Sequence, residues 1–163
     1  MKIKPDMYVK DILSINYKKL KEKGIKVLFF DFDNTLIERG NYTFPDSCIK
    51  LLNKLKKDFK ILVVSNSIHA SKLEKVCSKY NLSYIGAAFK PLKIGFKKAE
   101  KKVSAKESEI CMIGDQLLTD IKGGLKMNYF TILIDPINYD EHILTKINRF
   151  RENKFFKRGK YYE

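Results

Sequence analysis

Residues 28–36 read LFFDFDNTL, an apolar run that ends in two aspartates, Asp31 and Asp33. An apolar run of this kind predicts a buried β-strand. Because burying an unpaired carboxylate is costly, the two charges at the end of this strand must be neutralised or used. Residues i and i+2 of an extended strand lie about 6.5–7 Å apart on one side, so we expect both carboxylates to face one pocket.

The rest of the chain alternates short apolar segments with segments whose apolar residues recur at helical spacing. The predicted strands span residues 25–30, 61–64, 83–89, 110–113 and 130–134. The helical positions between them are Ile49, Leu52, Leu55 and Phe59; Leu73, Val76, Cys77 and Tyr80; Phe96, Ala99 and Val103; and Ile121 with Leu125. This alternation predicts an α/β fold: three Rossmann-like layers around a central, mostly parallel, five-stranded sheet.

Length and composition favour one soluble domain. A chain of 163 residues is long enough for one sizeable core and short for two. We expect a single domain over residues 1–163, with its core at about 25–136, a helical segment at 5–23 and a basic, aromatic segment at 137–163. The apolar runs are too short to predict a transmembrane helix, and the interrupted N-terminus predicts no signal peptide.

The cysteines indicate the compartment. Cys48, Cys77 and Cys111 lie far apart and match no metal-ligand spacing. An odd number of cysteines without a secretory signal predicts reduced thiols and a cytoplasmic location.

The charge of the chain is strongly basic, at +14 from 33 basic and 19 acidic residues. Residues 1–30 hold +5 of this excess and residues 141–163 hold +4. Such a charge favours anionic partners, namely nucleic acid, an anionic membrane surface or a phosphorylated substrate. A lysine-rich solvated surface without a partner is the alternative that charge alone leaves open.

Polar clusters follow four of the predicted strands. They are DFDNT at 31–35, SNS at 65–67, FKP at 89–91 and GDQLLTD at 114–120. The carboxyl ends of parallel strands meet at one edge of a sheet, where open α/β folds bind their ligands. We therefore expect these four clusters to form one site.

The side chains of these clusters suit a phosphate and a hard cation. Asp31 and Asp33 have the geometry of a nucleophile paired with a general acid/base. Asp115 adds a third oxygen ligand, and a site of oxygen donors without His or Cys suits Mg²⁺. The groups suited to phosphate oxygens are the Ser65 hydroxyl, the Asn66 amide and the Lys90 ammonium.

In order and spacing the clusters resemble the four motifs of the haloacid dehalogenase (HAD) superfamily of aspartate-dependent phosphohydrolases. DFDNT resembles the first motif, DxDx[TV], and Ser65 the second. Lys90 before Pro91 resembles the third motif, and GDQLLTD the fourth. The match runs over residues 31–120.

The resemblance implies a role for each residue. Asp31 attacks phosphorus and becomes an aspartyl-phosphate, while Asp33 protonates the leaving oxygen and then deprotonates the hydrolytic water. Ser65 and Lys90 bind the phosphoryl oxygens. The implied Mg²⁺ ligands are Asp31, the main-chain carbonyl of Asp33 and Asp115, with Asp120 in support.

The spacing between motifs leaves no room for a cap domain. One helix and one strand account for nearly all of the 32 residues from Asp33 to Ser65 and the 25 from Ser65 to Lys90. The site is therefore expected to be open, as in the capless HAD subclass IIIA. Over about residues 5–136 the chain resembles most closely the YqeG-like phosphatases, related to the phosphatidylglycerophosphate phosphatases.

That resemblance implies hydrolysis of phosphatidylglycerophosphate to phosphatidylglycerol in phospholipid metabolism, by a cytoplasmic protein in peripheral contact with the inner membrane surface. The alternatives are a capless phosphatase for nucleic-acid 3′-phosphate ends, phosphoproteins or a small metabolite, and a catalytically idle binding protein. Aromatic residues interleaved with Arg and Lys in 150–162 suit a membrane interface, or a C-terminal helix docked on the core.

Overall fold

The computed structural model describes residues 3–68, 70–139, 147 and 150–162. Its strands are β1 (Met7–Val9), β2 (Val27–Phe30), β3 (Lys60–Val64), β4 (Ser83–Ile85), β5 (Ile110–Gly114) and β6 (Phe130–Ile134). Its α-helices are α1 (Tyr17–Glu22), α2 (Asp46–Leu55), α3 (Ala70–Lys79), α4 (Lys93–Val103) and α5 (Lys122–Lys126). A π-helical turn, Leu117–Ile121, leads directly into α5.

All paired strands of the sheet are parallel, in the order β1-β6-β5-β2-β3-β4. The predicted α/β class and parallel sheet are therefore confirmed. The central strands β2 and β5 are buried along their whole length, as expected for a sheet that helices cover on both faces.

The described sheet has six strands, so the prediction of five was wrong by one. The segment 5–23, expected to be helical, begins with β1, which pairs with β6 in the register Met7 to Ile132. A 3₁₀ turn at Ile12–Ser14 and the short helix α1 follow. Three fully buried residues are too few to show the alternation that marks a strand, and the turn's apolar residues continue the spacing of α1.

The loop after β4 also differs from the prediction of a strand over 83–89. The strand ends at Ile85, and Ala87 and Phe89 adopt φ values of +44° and +53°. A left-handed backbone cannot continue a strand, so the chain turns back toward the sheet edge. This turn delivers Lys90 to the carboxyl ends of β2 and β3.

The C-terminal residues 150–162 return to the sheet beside β1. Tyr8 and Tyr162 exchange two main-chain hydrogen bonds of 2.8 Å each. The Phe156 ring packs edge-on against Tyr8, with 5.4 Å between centroids. The helical spacing of Ile143, Leu144, Ile147 and Phe150 predicts a C-terminal helix, most of which lies outside the described residues. Part of the 150–162 segment is docked on the core.

Candidate active site

The carboxyl edge of the sheet brings most of the predicted site residues together. Asp31, Ser65 and Asp115 each directly follow a strand, namely β2, β3 and β5. Lys90 enters from the loop after β4, and Asp120 from the π-helical turn. All five are buried, with 7% or less of each residue exposed.

Lys90 lies at the centre of this cluster. Its Nζ is 2.5 Å from Asp31 Oδ1 and 2.7 Å from Asp120 Oδ1. Its Nζ donates hydrogen bonds to Asp31 Oδ1 and, at 2.6 Å, to the main-chain oxygen of Val64, while the contact with Asp120 is an ion pair. Burial alone would lower the pKa of Lys90, but Asp120 and Asp31 raise it above its ordinary value. Lys90 is therefore a permanent cation.

Asp31 lies in an environment that carries more negative than positive charge. Burial, the largest influence, raises its pKa to about 7, with Asp120 and Asp33 adding to the rise and Lys90 opposing it. One lysine thus compensates only part of the carboxylate charge around it. A further cation at this place would favour the ionised form of Asp31 that a nucleophile requires.

The donor set fits a magnesium ion. Oxygen atoms of Asp31, Asp115 and Asp120 lie within 4.8 Å of one another. Buried carboxylates without nitrogen or sulfur ligands are typical of hard divalent cations. A Cβ added to Gly114 would overlap the Asp120 carboxylate, so glycine at this position allows the close approach of Asp120.

Thr35 belongs to the same cluster, although it is not among the predicted site residues. Its hydroxyl lies 3.4 Å from Asp31 Oδ2 and 3.4 Å from Asp115 Oδ1, and the residue is buried. It therefore bridges the loops that follow β2 and β5. Its place in the DFDNT motif was the available signal.

Asp33 faces a different cation. Its Oδ1 lies 3.3 Å from Lys72 Nζ, on α3, and both side chains are partly exposed. The Lys72 ammonium also lies over the rings of Phe32 and Tyr42, at 5.6 and 5.4 Å from their centroids. Lys72 is one lysine among many, and no pattern in the sequence marks it.

Ser65 and Asn66 differ in how free their side chains are. Asn66 clamps the main chain of Lys90: its Oδ1 accepts from the Lys90 N–H at 2.6 Å and its Nδ2 donates to the Lys90 carbonyl at 3.0 Å. Ser65 Oγ accepts from the Ser67 N–H at 3.0 Å and retains its own proton for donation. The contact of Asn66 with a phosphate stays a prediction, whereas its contact with Lys90 is observed.

Arg158, from the C-terminal segment, reaches the other side of the Asp115 loop. Its guanidinium donates to the main-chain oxygens of Asp115 and Ile134, the latter at 2.8 Å, and pairs with Asp135 at 2.9 Å. The sequence predicts only a basic, aromatic segment in this region, and no pattern in it indicates the contact of Arg158 with the site.

Comparison with known proteins agrees with this geometry. A family model described as mitochondrial PGP phosphatase matches residues 1–83, and one described as HAD-hydrolase-like matches residues 88–153. Probable phosphatase YqeG of Bacillus subtilis is 32% identical over 151 residues, which cover 92% of this chain and 87% of that protein. Phosphatidylglycerophosphate phosphatase 1 of Arabidopsis thaliana is 30% identical over 146 residues, which cover 84% of this chain and 42% of that longer protein.

The fold has solved relatives as well. The putative HAD-hydrolase YfnB of Bacillus subtilis, solved bound to magnesium, superposes with a TM-score of 0.57 at 15% identity, covering 74% of this chain and 91% of that one.

Fold and homologues together define a phosphoric monoester hydrolase of the HAD superfamily. Within that superfamily the chain belongs to the YqeG-like phosphatidylglycerophosphate phosphatase family. The resemblance inferred from the four motifs is thereby confirmed.

Proposed function

We propose that this phosphatase releases the terminal phosphate of phosphatidylglycerophosphate through an aspartyl-phosphate on Asp31. The observation that carries the mechanism is the buried contact of Lys90 with Asp31 and Asp120 at 2.5 and 2.7 Å. It places a fixed cation beside the proposed nucleophile, where phosphoryl oxygens need compensation.

The chemistry divides between the two aspartates of the first motif. Asp31 displaces the alcohol from phosphorus, and Asp33 gives its proton to the departing alkoxide. A water molecule then attacks the aspartyl-phosphate, Asp33 takes a proton from it, and inorganic phosphate leaves with Asp31 restored. The partial exposure of Asp33 suits this part, since the alcohol and the water must both reach it.

Other groups of the chain hold the phosphate. The Ser65 hydroxyl and the Lys90 ammonium are suited to donate to the phosphoryl oxygens, and Asn66 keeps Lys90 in place through its main chain. When bound, Mg²⁺ would be held by Asp31, Asp115, the main-chain carbonyl of Asp33 and, in support, Asp120, and it would supply positive charge against the developing phosphoryl charge.

The lipid substrate rests on other support. The Arabidopsis relative is named for phosphatidylglycerophosphate, and the family model over residues 1–83 carries the same description. The basic charge of the chain suits an anionic membrane surface, to which each Lys or Arg nearby adds about 1 kcal/mol of attraction. Among the described residues no helix is long and apolar enough to cross a membrane.

The mechanism is tested with Asp31→Asn and Asp33→Asn, compared with Asp58→Asn, an aspartate paired with Lys21 on the surface. Phosphate release with Mg²⁺ is measured from phosphatidylglycerophosphate vesicles, a 3′-phosphorylated oligonucleotide and glycerol 3-phosphate. We expect Asp31→Asn to lower turnover on the lipid by at least about 10³-fold, since no other group replaces the nucleophile.

For Asp33→Asn we expect a loss of roughly 10²–10⁴-fold, because one proton transfer is removed while the nucleophile stays. The control variant should match wild type. If Asp31→Asn is as active as the wild-type enzyme, the mechanism is refuted. If the wild-type enzyme prefers the oligonucleotide or glycerol 3-phosphate to the lipid, the proposed substrate is refuted.

A further inference from the structure

A largely apolar cavity of about 410 Å³ opens beside the catalytic cluster. It lies among the turn after β1, the start of α2 and the segment after β6. Its apolar walls include Ile12, Leu13, Leu36, Ile134, Pro136 and Ile137. Its volume falls within the range of ordinary ligand sites, which is about 300–1,000 Å³, and such sites are also lined mainly by apolar side chains.

The cavity and the reacting carboxylates share one residue. Thr35 lines the cavity, while its hydroxyl lies 3.4 Å from both Asp31 Oδ2 and Asp115 Oδ1. The two spaces are therefore separated by little more than one side chain. Thr35 therefore forms part of the wall between the carboxylate cluster and this apolar space.

The rim of the cavity is apolar as well. Leu13, Ile137 and Tyr139 expose 53%, 47% and 59% of their surface there, and the exposed Lys10 stands among them. Exposed apolar side chains around a concave site mark a binding surface for an apolar partner. A lysine beside them favours a partner that also carries negative charge.

We propose that this cavity receives the acyl portion of the phospholipid whose phosphate is presented to Asp31. The proposal rests on the proposed function and adds to it a site for the apolar end of the substrate. A phosphorylated lipid is the ligand that needs both features of this sheet edge, namely a charged cluster for phosphate and an apolar space next to it. Sugar phosphates have no apolar group to fill such a space.

The test compares two cavity variants with a control outside it. Leu13→Glu places a charge on the rim, and Ser47→Trp fills space at the start of α2 without adding charge. Ile94→Glu is the control, since Ile94 is 57% exposed on α4 and is not part of the cavity wall. Kinetics are measured with dioleoyl phosphatidylglycerophosphate in mixed micelles and with glycerol 3-phosphate.

We expect both cavity variants to lower kcat/KM on the lipid about tenfold, mainly through KM, and to leave glycerol 3-phosphate hydrolysis unchanged. Binding of monomeric dihexanoyl phosphatidylglycerol, followed by calorimetry, should weaken by a similar factor in both. The control should behave as wild type in each assay.

Two results would overturn the cavity proposal while leaving the lipid substrate intact: full lipid activity and lipid binding in both variants, or an equal loss on lipid and soluble ester. Failure of the wild-type protein to hydrolyse the lipid refutes the proposed substrate instead. In that case calorimetry still tests the cavity proposal, because it measures binding of dihexanoyl phosphatidylglycerol without turnover. The proposal is overturned if the wild-type protein binds this lipid no more tightly than the two cavity variants do.

Discussion

Two cations contact the carboxyl edge of the sheet: Lys90 lies among the buried carboxylates, and Arg158 contacts the main chain of Asp115. Lys90 is buried, with 1% of its side chain exposed, and its ammonium contacts Asp31, Asp120 and the main chain of Val64. Arg158 is 19% exposed and holds the main chain of Asp115 together with Asp135. Lys90 supplies positive charge to the carboxylates of the proposed active site, whereas Arg158 holds the main chain of the Asp115 loop.

The difference in burial decides what each network contributes. Removing one partner from a buried ion pair leaves an uncompensated charge and is strongly destabilising, while a partly exposed pair is screened by water. We therefore expect graded losses in the free energy of unfolding, largest for the Lys90 network and smallest at the outermost carboxylate that Arg158 contacts.

The largest effect is expected for Lys90→Met. It leaves Asp31 and Asp120 buried without their cation, which should lower the free energy of unfolding by about 3–5 kcal/mol. The measurement is urea unfolding at pH 7 in the absence of divalent metal. Lys72→Met is the matched control, since Lys72 also pairs with a site aspartate but its pair is partly exposed, and we expect a loss of about 0–1 kcal/mol. Equal losses in the two variants would contradict the importance of burial.

Arg158→Met should have an intermediate effect. The Asp115 carbonyl and the Asp135 carboxylate lose a shared charged donor, so we expect the free energy of unfolding to fall by about 1–2 kcal/mol. Because Asp115 is a predicted metal ligand whose loop Arg158 holds, Mg²⁺ affinity measured by calorimetry should weaken by about tenfold.

Arg158→Lys should bind Mg²⁺ more tightly than Arg158→Met and more weakly than wild type. Arg151→Met changes an exposed arginine of the same segment and should bind Mg²⁺ like wild type. If Arg158→Met loses stability but binds Mg²⁺ like wild type, the residue anchors the C-terminal segment without positioning the loop.

The two networks also differ in how far the sequence predicts them. Asp31, Lys90, Asp115 and Asp120 belong to motifs that follow strands, and the rule that parallel strands end at one edge is enough to bring them together. Arg158 is distant in sequence from every motif, and its contacts depend on how residues 150–162 return across β1. No local pattern encodes that return.

The fold shows the same division. Strands β2, β3, β5 and β6 were predicted within two residues because each is a buried apolar run next to a turn. Strand β1 was missed because three residues carry too little periodicity, and it is stabilised by its pairing with β6 and by the Tyr8 contacts with Tyr162. The contacts of Lys72 and Thr35 were not predicted for a related reason, since neither residue type indicates its partner.

The smallest effect is expected at Asp135, the outer carboxylate of the Arg158 network. Burial raises its pKa, but hydrogen bonds from Tyr8, Tyr161 and Arg158 outweigh it and hold the pKa below its ordinary value. A lowered pKa in the folded state adds stability above the unfolded pKa of about 3.9, and this stability is lost as the pH falls through the folded value.

Asp135→Asn should therefore lower the free energy of unfolding by about 1 kcal/mol at pH 7, and the difference from wild type should shrink toward zero as the pH falls below about 4. Urea unfolding at a series of pH values measures this difference. Tyr161→Phe removes one of the three donors, at 2.7 Å from Oδ2, and should show a smaller loss with the same pH dependence. If the difference in unfolding free energy between Asp135→Asn and wild type stays constant from pH 7 to about 3, Asp135 contributes packing rather than charge. The Lys90 and Arg158 networks would then differ in geometry and not in how burial affects their charges.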